Sequence, residues 1–104
     1  MTVNKAKQSK LERKGWRFGS ADEFLDLSTE ELAYIELKLA LSDTLKSSRV
    51  SKKLTQAELA RIIKSSQSRV AKMEAGDPTV SIDLLIRSLL VLGVSRRELG
   101  RSIL

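Results

Sequence analysis

The sequence has 104 residues and a formal net charge of +6, and it contains neither cysteine nor histidine. A chain of this length buries one core, and the missing side chains exclude disulfides, His/Cys metal sites and Ser-His or Cys catalysis. The charge favours a polyanionic partner and no apolar run is long enough to cross a bilayer, so we expect a soluble cytoplasmic protein, not an enzyme, with no catalytic residue, metal or cofactor.

Residues 1–27 are expected to form an N-terminal extension ahead of a single domain at 28–104. The extension begins as a basic arm. Trp16 and Phe18 then alternate with glycine and arginine, a pattern that favours a short extended segment. This segment either anchors the extension to the body or pairs with a partner. Ser20, with a glutamate three residues on, makes a capping box that predicts a short helix.

A second capping box, Ser28 and Glu31, predicts the longest helix, running to about Val50. Its apolar residues are expected on two stripes, Leu32, Ile35 and Leu39 on one and Tyr34, Leu37, Leu41 and Leu45 on the other. Two stripes exceed what one small core covers. We therefore expect one of them to meet the N-terminal extension or another chain.

Two short helices joined by a tight turn are predicted between Leu54 and Pro78. Thr55 and Glu58 make a capping box for the first helix. Its apolar positions are Ala57, Leu59, Ala60, Ile62 and Ile63. A four-residue turn follows, from Lys64 to Ser66 and into Gln67, and Ser66 caps the second helix.

In the second of these helices Val70 and Met73 form an inward i, i+3 pair. The residues left to face outward are Gln67, Ser68, Arg69 and Lys72. Gly76 is expected to end the helix, because glycine tolerates positive φ, and Pro78 prevents its continuation.

Two more helices complete the chain. Ser81 caps one whose apolar residues repeat at i, i+3, i+4 spacing as Ile82, Leu85, Ile86, Leu89 and Leu90, up to Gly93. Ser95 and Glu98 make a further capping box for the last helix. Its apolar residues are Leu99, Ile103 and Leu104. They suit either a dimer contact or folding back onto the same chain.

The segments LTQAELA and SSQSRVAKMEAG and the Leu-rich helix after them resemble the Xre family, the helix-turn-helix of phage repressors and many bacterial antitoxins. The resemblance covers about residues 31–104. It implies an all-α fold, a five-helix repressor-like helix-turn-helix domain, behind the N-terminal extension. The family often has glycine where this chain has Lys53 and Lys64, so both turns are expected to take a conformation that costs a non-glycine residue some energy.

The resemblance also implies where double-stranded DNA would bind. Gln56, at the start of its helix, suits a phosphate oxygen. Gln67 suits an adenine edge, and Arg69 or Lys72 suits guanine or phosphate. The candidate DNA-binding residues are Gln56, Ser66, Gln67, Ser68, Arg69 and Lys72. Arg49 and Glu74, otherwise two ordinary surface charges, are expected to form an ion pair that ties the first helix to the recognition helix.

These features together predict a transcriptional repressor, a homodimer on a palindromic operator. Residues 20–50 hold seven acidic side chains against three basic ones, a balance of −4. A basic arm, an acidic stretch and a C-terminal helix-turn-helix resemble HigA-type antitoxins, whose partner is a small basic ribonuclease toxin. Asp22, Glu23 and Asp26 are the candidate toxin-binding residues; they either bind such a toxin or only cap and solubilise helices. A free-standing phage-type repressor without a toxin is the alternative.

Overall fold

The computed structural model describes residues 11–12 and 28–104. Residues 28–104 fold into five helices, with no strand among them: α1 Thr29–Ser51, α2 Gln56–Ile62, α3 Gln67–Ala75, α4 Ile82–Val91 and α5 Arg96–Ser102. The predicted all-α, five-helix architecture is confirmed. Leu11 and Glu12 are helical, and Leu11 is buried. The rest of the basic arm, the segment with Trp16 and Phe18, and the short helix after Ser20 lie outside the described residues.

Each of the five helices begins at a serine or threonine whose hydroxyl accepts a hydrogen bond from the amide three residues on, which satisfies one of the free N–H groups of the first turn. These N-caps are Ser28, Thr55, Ser66, Ser81 and Ser95, as predicted. The reciprocal bond of a capping box forms at Thr55, whose amide donates to Glu58 Oε1 at 3.0 Å. At Ser28 and Ser95 only the serine half of the predicted box is present, and the matching glutamates are exposed.

Helix α1 buries one face rather than two stripes. Its buried residues follow the spacing of a single helical face: Leu32, Ile35, Lys38, Leu41, Ser42 and Leu45. Leu41 and Leu45 of the expected second stripe lie on this face with Leu32 and Ile35 of the first. Tyr34 is 51% exposed and Leu37 and Leu39 are half-buried, so the expected division into two stripes is wrong. The reason is that α1 meets α3, α4 and α5 on one side only, and residues about 100° apart around a helix cannot all reach that side.

The buried face of α1 includes a lysine because its charge finds a partner at the edge of the core. Lys38 is 6% exposed, and its Nζ donates to the main-chain oxygen of Pro78 at 3.1 Å. The same nitrogen lies 5.8 Å from the centre of the Tyr34 ring. Burial lowers the pKa of Lys38, and the carboxylate of Asp77 opposes that shift. Lys38 therefore joins α1 to the loop that follows α3.

The main core lies where the first four helices meet. Its completely buried side chains include Leu45, Leu59, Val70, Met73, Leu85 and Leu89. The inward positions predicted for α3 are confirmed. Of the apolar residues identified along α2 and α4, Ala57, Ile62 and Leu90 are exposed. Each helix has one side in the core, and these residues lie on the other.

Helix α5 folds back onto its own chain through Leu99, which packs against the core. The other two apolar residues predicted for this helix, Ile103 and Leu104, are 44% and 101% exposed. Their side chains lie beside the outer face of α1, where Tyr34 and Leu37 line the same groove. Of the three apolar residues, only Leu99 thus folds back onto its own chain.

The same hydrogen bond closes α1, α2, α3 and α4: an amide just past the helix donates to the carbonyl five residues back. This geometry requires one residue with positive φ before the donating amide. Gly76 and Gly93 fill it with φ values of 76° and 91°, whereas Lys53 and Lys64 fill it with φ values of 57°. Lysine pays a steric cost there that glycine avoids, as expected from the sequence.

We predict that Lys53→Gly raises the free energy of unfolding by about 0.5–1 kcal/mol, because relief of the left-handed strain exceeds the extra freedom of glycine in the unfolded chain. Lys52→Gly is the control, since Lys52 has an ordinary φ of −88° and gains no such relief. Urea denaturation of both variants measures the difference. A Lys53→Gly protein no more stable than the Lys52→Gly protein would contradict the prediction.

Candidate nucleic-acid interface

Helices α2 and α3 are joined by a short turn and pack directly against each other. Residues 63–66 connect them, and Ser66 is already the N-cap of α3. Ala60 is 4% exposed and lies in the same core cluster as Val70 and Met73. A side chain as small as alanine lets the two helices approach closely. The arrangement is a helix-turn-helix, in which the inner side of α3 faces the core and its start projects outward.

Four consecutive or neighbouring polar side chains cover the projecting part of α3. They are Gln67, Ser68, Arg69 and Lys72, and all are exposed. Ser66, also exposed, accepts the amide of Arg69 at 3.1 Å and so fixes the first turn that carries them. Glutamine and arginine present paired donor and acceptor groups that match base edges, while lysine suits phosphate.

The start of α3 differs electrostatically from the other helix starts in residues 28–104. The first turns of α1, α2, α4 and α5 each contain an aspartate or glutamate, which offsets the positive end of the helix dipole. The first turn of α3 contains no acidic residue. Instead it carries Arg69. Helix dipole and side-chain charge therefore have the same sign here, and both favour an anion.

A buried carboxylate positions α3 against the rest of the domain. Glu74 is 7% exposed and accepts Arg49 Nε at 2.6 Å and Arg49 Nη2 at 3.0 Å, a two-pronged ion pair between α3 and α1. Arg49 Nη1 also donates to the main-chain oxygen of Leu54 at 2.7 Å. Hydrogen bonding to Glu74 raises the pKa of Arg49. The structure thus brings together the two charges that the sequence suggested as a pair.

Gln56 joins this network rather than standing free at the surface. Its Nε2 donates to Glu74 Oε1 at 3.2 Å, and the residue is only partly exposed. The sequence suggested a phosphate contact for Gln56 but gave no sign of this contact with Glu74, which is 18 residues away along the chain. Its side-chain amide therefore connects the start of α2 to the end of α3.

A polar cleft extends the surface from α3 to the start of α4. Ser66, Ser68, Arg69 and Lys72 line one side of it, and Thr79, Val80, Ser81 and Leu84 line the other. The sequence did not indicate Thr79 and Ser81 as candidate binding residues. The one sequence signal here was that Ser81 is a helix cap. Its Oγ accepts the amide of Leu84 at 3.1 Å, and its hydroxyl proton can still be donated to another group.

The loop that carries Thr79 is locally fixed. Asp77 Oδ1 accepts the amide of Thr79 at 2.8 Å and its hydroxyl at 2.6 Å. These bonds lower the pKa of Asp77, helped weakly by the charges of Lys72 and Lys38. Together with the bond from Lys38 to Pro78, they hold the loop at the end of α3 in one conformation.

The candidate toxin-binding residues Asp22, Glu23 and Asp26 lie outside the described residues. Among residues 11–12 and 28–104, no three acidic side chains come together as a metal site. No helix in that part of the chain is long and apolar enough to cross a membrane.

The family model of a helix-turn-helix matches residues 45–99, which include the end of α1, the whole of α2 to α4 and part of α5. This match spans more than half of the chain, and the chain therefore belongs to this Xre-like helix-turn-helix family. Members of the family are DNA-binding transcription regulators, and so is this protein. No curated protein and no solved structure matches the chain.

We predict that Glu74→Gln lowers the free energy of unfolding by about 2–4 kcal/mol, because it leaves the largely buried Arg49 cation without its counter-charge. Asp83→Asn is the matched control. Asp83 also pairs with an arginine, Arg87, at 3.1 Å, but both side chains are about three-quarters exposed. Its loss is expected to cost less than about 1 kcal/mol. Equal urea midpoints for the two variants would refute the structural role of Glu74.

Proposed function

We propose that this regulator is a sequence-specific repressor that binds double-stranded operator DNA through the start of α3. The observation that carries the proposal is the exposed first turn of α3, where the absence of acidic residues coincides with a row of base-reading side chains. Gln67 and Arg69 read base edges in the major groove, and Ser68 supports them. The remaining contacts hold the helix in register on the phosphates.

The phosphate contacts come from a lysine side chain, from side-chain hydroxyls and from a main-chain amide. Lys72 and Ser66 flank the reading residues on α3. Ser81 and Thr79 line the far side of the same cleft, where Ser81 can donate its hydroxyl proton. Gln56 contributes through its main-chain amide at the first position of α2, because its side chain is engaged with Glu74.

We also propose that the protein acts as a homodimer on a palindromic operator. One helix-turn-helix reads only a few base pairs, and two copies about one helical turn apart read enough sequence for specificity.

We predict that Gln67→Ala weakens binding to the selected operator by about 1–3 kcal/mol while leaving binding to random DNA unchanged, because only a base contact is lost. Lys72→Ala is the contrasting variant. It is expected to weaken binding to both DNAs alike and to reduce the salt dependence by about one phosphate contact. In vitro selection supplies the operator, and titrations at several salt concentrations give the affinities. Equal losses on operator and random DNA for Gln67→Ala would show that this residue reads no base.

A more specific role, antitoxin of a small basic ribonuclease toxin, is supported by the charge of α1. Between Thr29 and Asp43 every exposed charged side chain of this helix is acidic, and the one lysine, Lys38, is buried. In a chain with net charge +6 this surface suits a basic protein partner. The alternative is a free-standing phage-type repressor. A small basic reading frame beside the gene would favour the antitoxin.

For the antitoxin role, we predict that reversing Asp22, Glu23 and Asp26 to lysine abolishes capture of the neighbouring gene product and spares or strengthens operator binding. Attraction to a basic toxin becomes repulsion, whereas added positive charge favours DNA. Pull-down with both proteins purified measures the first effect, and operator titration shows that the variant is folded. Undiminished capture by the triple variant would rule out these residues as the toxin-binding surface.

A further inference from the structure

The polar cleft beside α3 has two sides that belong to different elements. Arg69 and Lys72 line it from α3, while Thr79 and Ser81 line it from the segment that leads into α4. We call residues 77–81 the cleft segment. A DNA strand meets donors from both sides only where their separation is right, because hydrogen bonds weaken steeply away from their normal length and angle. Whatever sets the position of the cleft segment therefore sets how well the cleft binds phosphate.

Hydrogen bonds inside the cleft segment fix its shape but not its position. Asp77 Oδ1 accepts the amide and the hydroxyl of Thr79, and the main-chain oxygen of Asp77 accepts the amide of Val80 at 3.2 Å. At its first residue the segment is also bonded to α3, since the amide of Asp77 donates to the main-chain oxygen of Lys72 at 3.1 Å. Val80 packs in the core, but apolar contact has no preferred direction. The middle of the segment keeps its place only if a directional bond joins it to another element.

Lys38 supplies a directional bond to the middle of the cleft segment. Its Nζ donates to the main-chain oxygen of Pro78 at 3.1 Å and so joins α1 to a residue 40 positions later in the chain. Proline has no N–H, so this oxygen is the one main-chain group of Pro78 that takes part in hydrogen bonds. Lys38 is 6% exposed, and a bond from a charged donor is stronger where water is largely excluded. The bond therefore limits movement of the segment relative to α1.

Packing alone does not account for a lysine at this position. The neighbouring residues on the buried face of α1 include Leu32, Ile35 and Leu41, which are all apolar. An ammonium group is far more costly to bury than a methyl group, and an apolar side chain of the same length would fill the space as well. The buried charge is therefore better explained by its bond to the cleft segment than by the core.

We propose that Lys38 is a positioning residue for DNA binding, which holds the cleft segment at the distance from α3 at which both sides of the cleft contact one DNA strand. The proposal rests on the phosphate contacts proposed above for Thr79 and Ser81. Lys38 itself is buried and touches no DNA. Because contacts to phosphate carry no sequence information, Lys38 contributes affinity for every DNA and not preference for the operator.

The first test replaces Lys38 by methionine, which is unbranched, of similar length and lacks the donor. Replacing a buried charge by an apolar side chain often leaves stability unchanged, so Lys38→Met is expected to fold. Its affinity is expected to fall by about three- to tenfold for operator and random DNA alike, the effect of losing a hydrogen bond to phosphate. Lys38→Arg keeps a charged donor and is expected to restore most of the affinity. Lys46→Met is the matched control, because it removes the same charge from an exposed position of α1, and it is expected to lose less than about twofold.

A double-mutant cycle shows whether Lys38 acts through the cleft segment. Ser81→Gly removes the hydroxyl group proposed to contact phosphate, and glycine is tolerated as a helix N-cap. In that background Lys38→Met is expected to weaken DNA binding by less than about twofold, because the contact that it positions is already absent. Losses that multiply in the double variant would overturn the proposal, as would a folded Lys38→Met protein that binds both DNAs as tightly as the wild type.

A surface substitution keeps the test decisive even where Lys38→Met folds poorly. The Lys38 Nζ lies 5.8 Å from the centre of the Tyr34 ring, and Tyr34 is 51% exposed. Tyr34→Glu places a carboxylate four residues before Lys38, a favourable spacing for an ion pair on a helix, and draws Nζ away from Pro78. DNA binding is expected to weaken by about threefold, whereas Ala33→Glu, which adds the same charge at the neighbouring exposed position, is expected to have a smaller effect.

Equal losses for Tyr34→Glu and Ala33→Glu would contradict the action of Lys38 through Pro78. This outcome is independent of the proposed sequence specificity. If in vitro selection enriches no operator, the repressor function fails, while titrations with random DNA still decide the role of Lys38.

Discussion

The hydrogen-bonded Glu74 carboxylate is the interaction on which the rest of the domain depends. It lies near the end of α3 and receives donors from Arg49 on α1 and Gln56 on α2, so three helices meet at one buried charge. Burying a carboxylate is costly unless every acceptor site is satisfied. Here both carboxylate oxygens accept hydrogen bonds, Oε2 from Arg49 and Oε1 from Arg49 and Gln56. A well-packed apolar substitute can stabilise a fold equally, but it sets the orientation of α3 less specifically than a hydrogen-bonded ion pair does.

A second polar tie holds the loop that follows the end of α3. Lys38 reaches from the buried face of α1 to the main-chain oxygen of Pro78, and Asp77 closes a tight turn onto Thr79. Nearer the start of the helix, Val70 and Met73 pack α3 against the core. The start of α3 is therefore free to project while its remainder is fixed, which is what a reading element needs in order to present side chains in a constant geometry.

The parts that sequence reasoning predicted are those set by neighbours in the chain. Each helix start follows from a serine or threonine bonding to an amide three residues on, and the positive φ at Lys53 and Lys64 follows from their place after a helix. The buried face of α1 was not predictable in this way. Its burial depends on where α3, α4 and α5 come to lie, and the Lys38 side chain is buried because Pro78, 40 residues later, offers an acceptor.

The residues of the candidate DNA-binding site also divide into those set by local sequence and those set by the fold. Gln67, Ser68, Arg69 and Lys72 were predictable because their exposure follows from helical phase opposite Val70 and Met73. Thr79 and Ser81 were not, since only the fold brings the start of α4 across the cleft from α3. The engagement of Gln56 with Glu74 likewise depends on how α2 and α3 cross. Contacts between elements are beyond what local spacing specifies.

The most direct test of whether the buried carboxylate orients α3 is the operator affinity of the Glu74→Gln variant. The affinity is measured under conditions in which circular dichroism shows both the variant and the wild type to be fully folded. Glu74 is 7% exposed, so its substitution removes no side chain from the DNA-facing surface. If the carboxylate sets the orientation of α3, specific affinity falls at least tenfold while binding to random DNA changes little, because phosphate contacts tolerate a small tilt and base contacts do not. Unchanged specific affinity in the folded variant would contradict that role.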